Sequence, residues 1–138
     1  MLWFFVLGCQ TGSSEGLSGQ QLYKRSCINC HKSHGKGIQN VYPPLAGSDW
    51  VTTEDPSIPV RIVLHGLKGE IVVNNIRYDS AMVGWGETLN DEQIANIVTY
   101  IRTSWGNEGS AVSADEVKVI RDKYPNHSQW TVKQLKSQ

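Results

Sequence analysis

The sequence predicts a small, mainly helical, all-α domain. At 138 residues it has room for a single core and one short appendage. Two helix signatures frame it. Ser18-Gly19-Gln20-Gln21 resembles a capping box opening a helix at about Gly19. Asn90-Asp91-Glu92-Gln93 opens another, in which Ile94, Ile97, Val98, Ile101 and Trp105 recur at helical spacing until Gly106 ends it. Hydrophobic content of 39% with 19% charged residues fits a globular chain and excludes a disordered one.

Taken in order, residues 1–8 are apolar but too short to span a bilayer. Val6-Leu7-Gly8-Cys9 resembles a bacterial lipobox, in which the cysteine is lipidated. The basic n-region and longer apolar core of a full signal peptide are missing, so the start is either truncated or a weak signal. Gln10 to Gly16 are small and polar, as in a flexible tether.

The helix from Gly19 is expected to run into Cys27-Ile28-Asn29-Cys30-His31, a C-x-x-C-H motif. Two thiols three positions apart lie on one side of a helical turn and can add to the two vinyl groups of one porphyrin. The imidazole that follows is then held beneath the iron as proximal ligand. That is the attachment signature of a c-type haem, and a single motif means a single haem. Other readings of the residues compete. A thioredoxin-like dithiol would need a preceding strand and helix, which the pattern lacks. A zinc half-site with His31 and His34 would need a further downstream cysteine, and there is none. Chance occurrence is the third.

Ser57 to Gly66 reads as a short helix, with Pro59 near its start, Val60, Val63 and Leu64 apolar, and Gly66 as stop. Glu70–Val73 and Ile76–Asp79 around Asn74-Asn75 read as a small hairpin. Met82 follows in a loop; apart from Met1 it is the only methionine. Ser113-Ala114-Asp115-Glu116 is another capping box, for a helix to about Tyr124 before Pro125. Trp130, Val132 and Leu135 are expected to fold back on the main domain, and His127 to be a surface residue. The expected layout is thus a signal or lipobox remnant and tether over 1–17, a main domain over 18–106, and a helical extension over 107–138.

From about Ser18 to Gly106 the chain resembles the class I cytochromes c. In that family a glycine eight residues before the first haem cysteine and an aromatic four before it pack against the C-terminal helix. Gly19 and Tyr23 stand at those offsets, and Ile97 with Tyr100 match the pair they meet. The resemblance implies a fold in which the N- and C-terminal helices cross around one covalently bound haem c. It also implies that Pro43 offers its carbonyl to the proximal imidazole, that Leu45 packs on the haem face, and that Met82 supplies the distal thioether. Val83 stands where the family often has proline. Tyr42 and Trp50 are candidates to reach the haem propionates or to be plain packing, and His65 is a bis-histidine alternative to Met82. Gly84-Trp85-Gly86 resembles the Trp-containing loops of monohaem domains that serve terminal oxidases and nitrite reductases.

The function so implied is single-electron transfer, not catalysis. Haem would be tethered by Cys27 and Cys30 and ligated by His31 and Met82, a pair that fills both axial sites and favours reduced iron. Expected partners are redox proteins: a terminal oxidase, a nitrite reductase or a dehydrogenase. Rival functions are an electron-entry subunit of a larger complex, with residues 107–138 as docking piece, a peroxidase-like enzyme with a displaceable Met82, and a gas or ligand sensor. Net charge is zero, which argues against nucleic acid. It is spread unevenly: Lys24, Arg25, Lys32 and Lys36 against Glu15 give +3 over residues 1–40, nine acids and four bases give −5 over 41–111, and the tail restores +2. The haem motif places the chain in the periplasm or otherwise outside the cytoplasmic membrane, held there through Cys9 if that residue is lipidated.

Overall fold

Ser18 starts the first helix as its sequence requires. Its hydroxyl accepts from the Gln21 amide at 3.2 Å, and the Gln21 side chain accepts from the Ser18 amide at 2.9 Å. The computed structural model describes residues 16–137, so the lipobox-like Cys9 and most of the expected tether lie outside the described residues. Helix α1 covers Gly19–Ser26 and buries Leu22 and Tyr23. It does not run unbroken into the cysteine motif as expected. At Cys27 φ widens to −119° although the residue stays in the right-handed helical region, and a separate turn, α2, covers Ile28–His31. The amides of Cys30 and His31 both donate to the Cys27 carbonyl, at 3.3 and 3.0 Å, so the break re-aims the second cysteine and the histidine as a unit.

Helix α3 spans Ser57–His65, and Gly66 ends it at φ 83°. The chain then forms four short strands: β1 Gly66–Leu67, β2 Ile71–Val73, β3 Ile76–Tyr78 and β4 Met82–Val83. Strands β2 and β3 make the expected hairpin, with Asn74 and Asn75 at φ 49° and 66°, the left-handed pair that a tight two-residue turn needs. Met82 differs from expectation. It sits in β4, paired antiparallel with β1 in the register Gly66↔Val83 and Leu67↔Met82. No local pattern announces a two-residue strand whose partner lies fifteen residues earlier.

Helix α4 covers Asp91–Thr103 behind the Asn90 cap and buries Ile94, Ile97, Val98 and Ile101. It stops earlier than its apolar spacing suggests. Trp105 lies beyond it at φ 54°, and its ring turns back onto Tyr23 and Tyr100 at 5.2 and 5.5 Å. Helix α1 packs on α4 where Gly19 faces Asn96 and Tyr100. Helix α5, Ala114–Lys123, lies against α4 and α3 and buries Val117. Arg121 reaches back from it to the Asp91 carboxylate at 2.6 Å, to the Leu89 carbonyl at 2.9 Å and to the Gly86 carbonyl.

The last turn, α6 Val132–Lys136, buries Leu135. Trp130 and Leu135 do fold back, joining Leu67, Ile71, Val73 and Tyr78 in a second apolar cluster, with Met82 packed against it. The first cluster fills the space among α1, α3, α4 and α5. The described residues are helix-rich with two small sheets, and among them only these strands depart from an all-α description. Among the described residues no helix is long and apolar enough to cross a membrane.

Candidate haem-binding site

Between the two clusters lies a cleft of about 1250 Å³, its open mouth included. Cys27, Cys30, His31, Pro43, Leu45 and Met82 all line it. Its other walls are mostly aliphatic and aromatic side chains of α3, α4 and the hairpin, the surroundings a flat apolar macrocycle needs.

His31 is held by a loop built for that purpose. Gly37 donates its amide to the His31 carbonyl at 3.0 Å, and Ile38 donates to the Tyr42 carbonyl at 2.9 Å. Gly37 itself lies at φ 58°, with a Cβ position that would run into the Tyr42 and Pro43 carbonyls. This tight fold brings the Pro43 carbonyl oxygen to 2.9 Å from His31 Nδ1. Facing a carbonyl, Nδ1 must carry the proton and donate, which leaves the Nε2 lone pair free for a metal. His31 is buried, and burial pulls its pKa below the usual value while the Pro43 bond opposes the shift. The imidazole is therefore neutral, the form that ligates.

Cys27 and Cys30 are free thiols, not a disulfide. Burial, and secondarily the neighbouring Cys30, push the Cys27 thiol up to about 12. Tyr23 supports this corner from behind, donating its hydroxyl to the Lys32 carbonyl at 2.6 Å. Burial, then Cys27 and Tyr100, raise its pKa, so the phenol stays a donor.

A paired thiol set, one neutral imidazole with a free Nε2 and a thioether, brought to one apolar cleft, fit a covalently attached haem. The Cytochrome c family model matches residues 17–105. The chain belongs to the cytochrome c family. As a class I c-type cytochrome it carries covalently bound haem c with its iron and transfers electrons.

Relatives agree. The cytochrome is 33% identical to cytochrome c-552 of Thermus thermophilus over 113 residues, 76% of this chain and 85% of that protein. It is 37% identical over 114 residues to the cytochrome c subunit of alcohol dehydrogenase (quinone) of Komagataeibacter europaeus, covering 81% of this chain but 24% of the subunit. With the fructose dehydrogenase cytochrome subunit of Gluconobacter japonicus the identity is 35% over 109 residues, 75% of this chain and 22% of the subunit. The chain thus spans about a quarter of the dehydrogenase subunits it matches.

Several other candidate residues of the cytochrome fall elsewhere. His65 does not line the haem cleft. It lies in a separate cavity with Arg121 and His127, its ring 5.6 Å from that of His127. His127 is not a plain surface residue, since it stacks on Trp130 at 3.5 Å. His34 is exposed, and among the described residues no three His, Cys, Asp or Glu side chains gather to hold a zinc ion. Tyr42 and Trp50 both line the cleft, and the Trp50 indole N–H is already given to the Val72 carbonyl at 2.8 Å. One residue near the site escaped the sequence reading. Gln129 donates its amide to the Met82 carbonyl at 2.7 Å, and Trp130, expected to fold back, lies beside β1. The Gln129 link to Met82 spans 47 residues, beyond the reach of any local pattern.

Proposed function

We propose that this cytochrome is a His31/Met82-ligated monohaem carrier that passes single electrons between redox proteins and catalyses no reaction itself. One observation carries the reading: the Cys27–Cys30 pair, a neutral His31 with free Nε2, and Met82 all line one cleft. When bound, the haem iron supplies a one-electron couple. The chain's residues do the rest. Cys27 and Cys30 would hold the group by thioethers, Pro43 fixes the imidazole tautomer, Leu45 and the aliphatic walls exclude water, and His31 and Met82 would ligate the iron. With His31 and Met82 both as ligands the iron would offer no position to a substrate, and such a pair would place the potential in the positive range.

The donor we infer is a dehydrogenase, the class named in several relatives. A second reading has its own support: the match to about a quarter of larger dehydrogenase subunits suits an electron-entry module of such a complex. Purification from native membranes separates the two, because a module leaves with its dehydrogenase and a shuttle leaves alone. We place the protein outside the cytoplasmic membrane, where the haem-attachment machinery of such families works, with Cys9 as a lipid anchor. Fractionation tests this: cytochrome that stays with membranes and turns soluble on Cys9→Ser supports the anchor, and cytochrome soluble in both versions rejects it.

The ligand set is tested by optical spectra of both oxidation states with and without carbon monoxide. Wild type should resist carbon monoxide. Met82→Ala should keep its covalent haem, bind carbon monoxide readily and lose potential. Rapid binding by wild type, or an unchanged Met82→Ala spectrum, rejects Met82 as ligand.

A further inference from the structure

We propose that the C-terminal segment is a strap that positions Met82, with Gln129 as the residue that fixes the ligand's backbone. This rests on Met82 being the distal ligand. The local chain gives Met82 little support of its own. Ser80, Ala81 and Val83 are all exposed, Gly84 follows, and the β1–β4 ladder is two residues long, too short to be stable alone. Met82 itself is only partly buried.

What steadies it comes from beyond residue 123. Gln129 Nε2 donates to the Met82 carbonyl at 2.7 Å. On the other edge of β1, the Trp130 amide donates to the Gly66 carbonyl at 3.0 Å and the Lys68 amide to the Trp130 carbonyl at 2.9 Å. Leu67 is thereby bracketed in a parallel bridge, and β1 becomes the middle of three short segments. Two glycines permit the close approach. A Cβ at Gly66 would run into the Met82 carbonyl, and one at Gly84 would lie 2.6 Å from the His65 carbonyl carbon.

The strap is anchored independently of Met82, which makes it a clamp and not a passenger. Trp130 is 1% exposed. His127 stacks on its ring, Tyr124 meets it edge-on at 5.0 Å, and the Arg61 guanidinium of α3 sits 5.2 Å from it. Arg61 Nη2 also donates to the Leu135 carbonyl at 3.3 Å. Met82 would hold the iron by one sulfur bond, so the fraction of time that bond is open would depend on how firmly the backbone behind it is held. Gln129 sets that firmness by one hydrogen bond across 47 residues.

The test uses the intact holoprotein with four variants: Gln129→Leu, Gln129→Glu, Gln134→Ala and Met82→Ala. Gln129→Leu loses the donor and keeps most of the volume. Gln129→Glu sets a carboxylate against the carbonyl. Gln134→Ala removes the side-chain acceptor of the Thr131 amide, one half of the α6 capping box, without touching Met82. Loss of one net hydrogen bond raises the open fraction about fivefold. The carbon monoxide association rate of Gln129→Leu should rise by that factor, with a weaker methionine-to-ferric-iron charge-transfer band and a lower midpoint potential. Gln129→Glu should exceed it, and Gln134→Ala should match wild type. A Gln129→Leu rate within twofold of wild type, or a Gln134→Ala rate as high as that of Gln129→Leu, overturns the positioning role. Met82→Ala separates the two levels: if it too leaves the spectrum unchanged, the ligand assignment has failed, and if it alone opens the site, only the strap has.

Discussion

The Pro43 carbonyl accepts the His31 Nδ1 proton at 2.9 Å, twelve residues along the chain, and Gly37 makes that approach possible. The Cβ position of Gly37 would lie 2.7 Å from the Pro43 carbonyl oxygen and closer still to that of Tyr42, at a φ of 58°. Gly37→Ala should therefore cost about 2 kcal/mol, from left-handed backbone strain and displacement of the carbonyls together. The displaced carbonyl donates less electron density through the imidazole, so the ferric state is less stabilised and the midpoint potential should rise. Gly47 supplies the control. It has φ 67° but nothing within 4 Å of its Cβ position, so Gly47→Ala should lose a little stability and leave the potential alone. Denaturant titration and potentiometry of the two variants check this. Equal potentials for Gly37→Ala and wild type would show that the Pro43 contact does not tune the proximal ligand.

Gly19 carries a purely steric demand. Its φ is not in the left-handed region, yet a Cβ there would collide with the Asn96 carbonyl and lie 2.8 Å from Tyr100 Cβ. Gly19→Val should separate α1 from α4 and cost about 3 kcal/mol. The spectrum of the folded fraction should stay normal, because Gly19 does not line the cleft. Melting within a degree or two of wild type would mean that the helices tolerate a wider approach.

The parts of this molecule legible in its sequence are those whose signal is local. The caps at Ser18, Asn90 and Ser113, the Asn74-Asn75 turn and the C-x-x-C-H spacing are short-range patterns, and the elements follow them. Where sequence reading slipped, a distant partner decided. The apolar period continues to Trp105, but tertiary contact with Tyr23 turns that ring out of the helix. Met82 takes strand geometry because Leu67 is across from it, and His127 is half-buried because Trp130 is beneath it. Gln129 carries no motif at all.

Arg102 is another such residue. It is 2% exposed on α4, and its guanidinium donates to the carbonyls of Val51 at 2.7 Å, Thr53 at 3.0 Å and Ser110 at 2.9 Å, and to the Ser110 hydroxyl at 3.1 Å. Among the described residues no carboxylate is hydrogen-bonded to it; carbonyl dipoles and one hydroxyl satisfy the fork. Arg102→Leu should cost about 3 kcal/mol, because three carbonyls lose their donor in a buried place. Arg102→Lys should recover little of it, since a single ammonium cannot span the fork. Urea midpoints measure both, and a lysine variant as stable as wild type would show that charge alone suffices.

The last prediction concerns acid stability and turns on His65. Burial first, then the nearby His127 and Arg121, pull its pKa below the ordinary 6.5. Its Nε2 is buried without a hydrogen-bond partner, so a proton added there finds no acceptor. Glu87 and Asp122 line the same cavity. The unfolded chain binds this proton near pH 6.5 and the folded chain only at lower pH. Between those values the unfolded state carries more protons, so stability rises with pH. The His65 contribution is therefore complete above about pH 6.5 and is lost as pH falls through the folded value. His31 is shifted the same way, but once bound to iron it no longer titrates in this range. Melting of the holoprotein between about pH 7 and pH 5 should therefore fall more steeply for wild type than for His65→Phe, which has no proton to gain. Parallel slopes would assign the acid limb to other groups and leave His65 as an ordinary packed side chain.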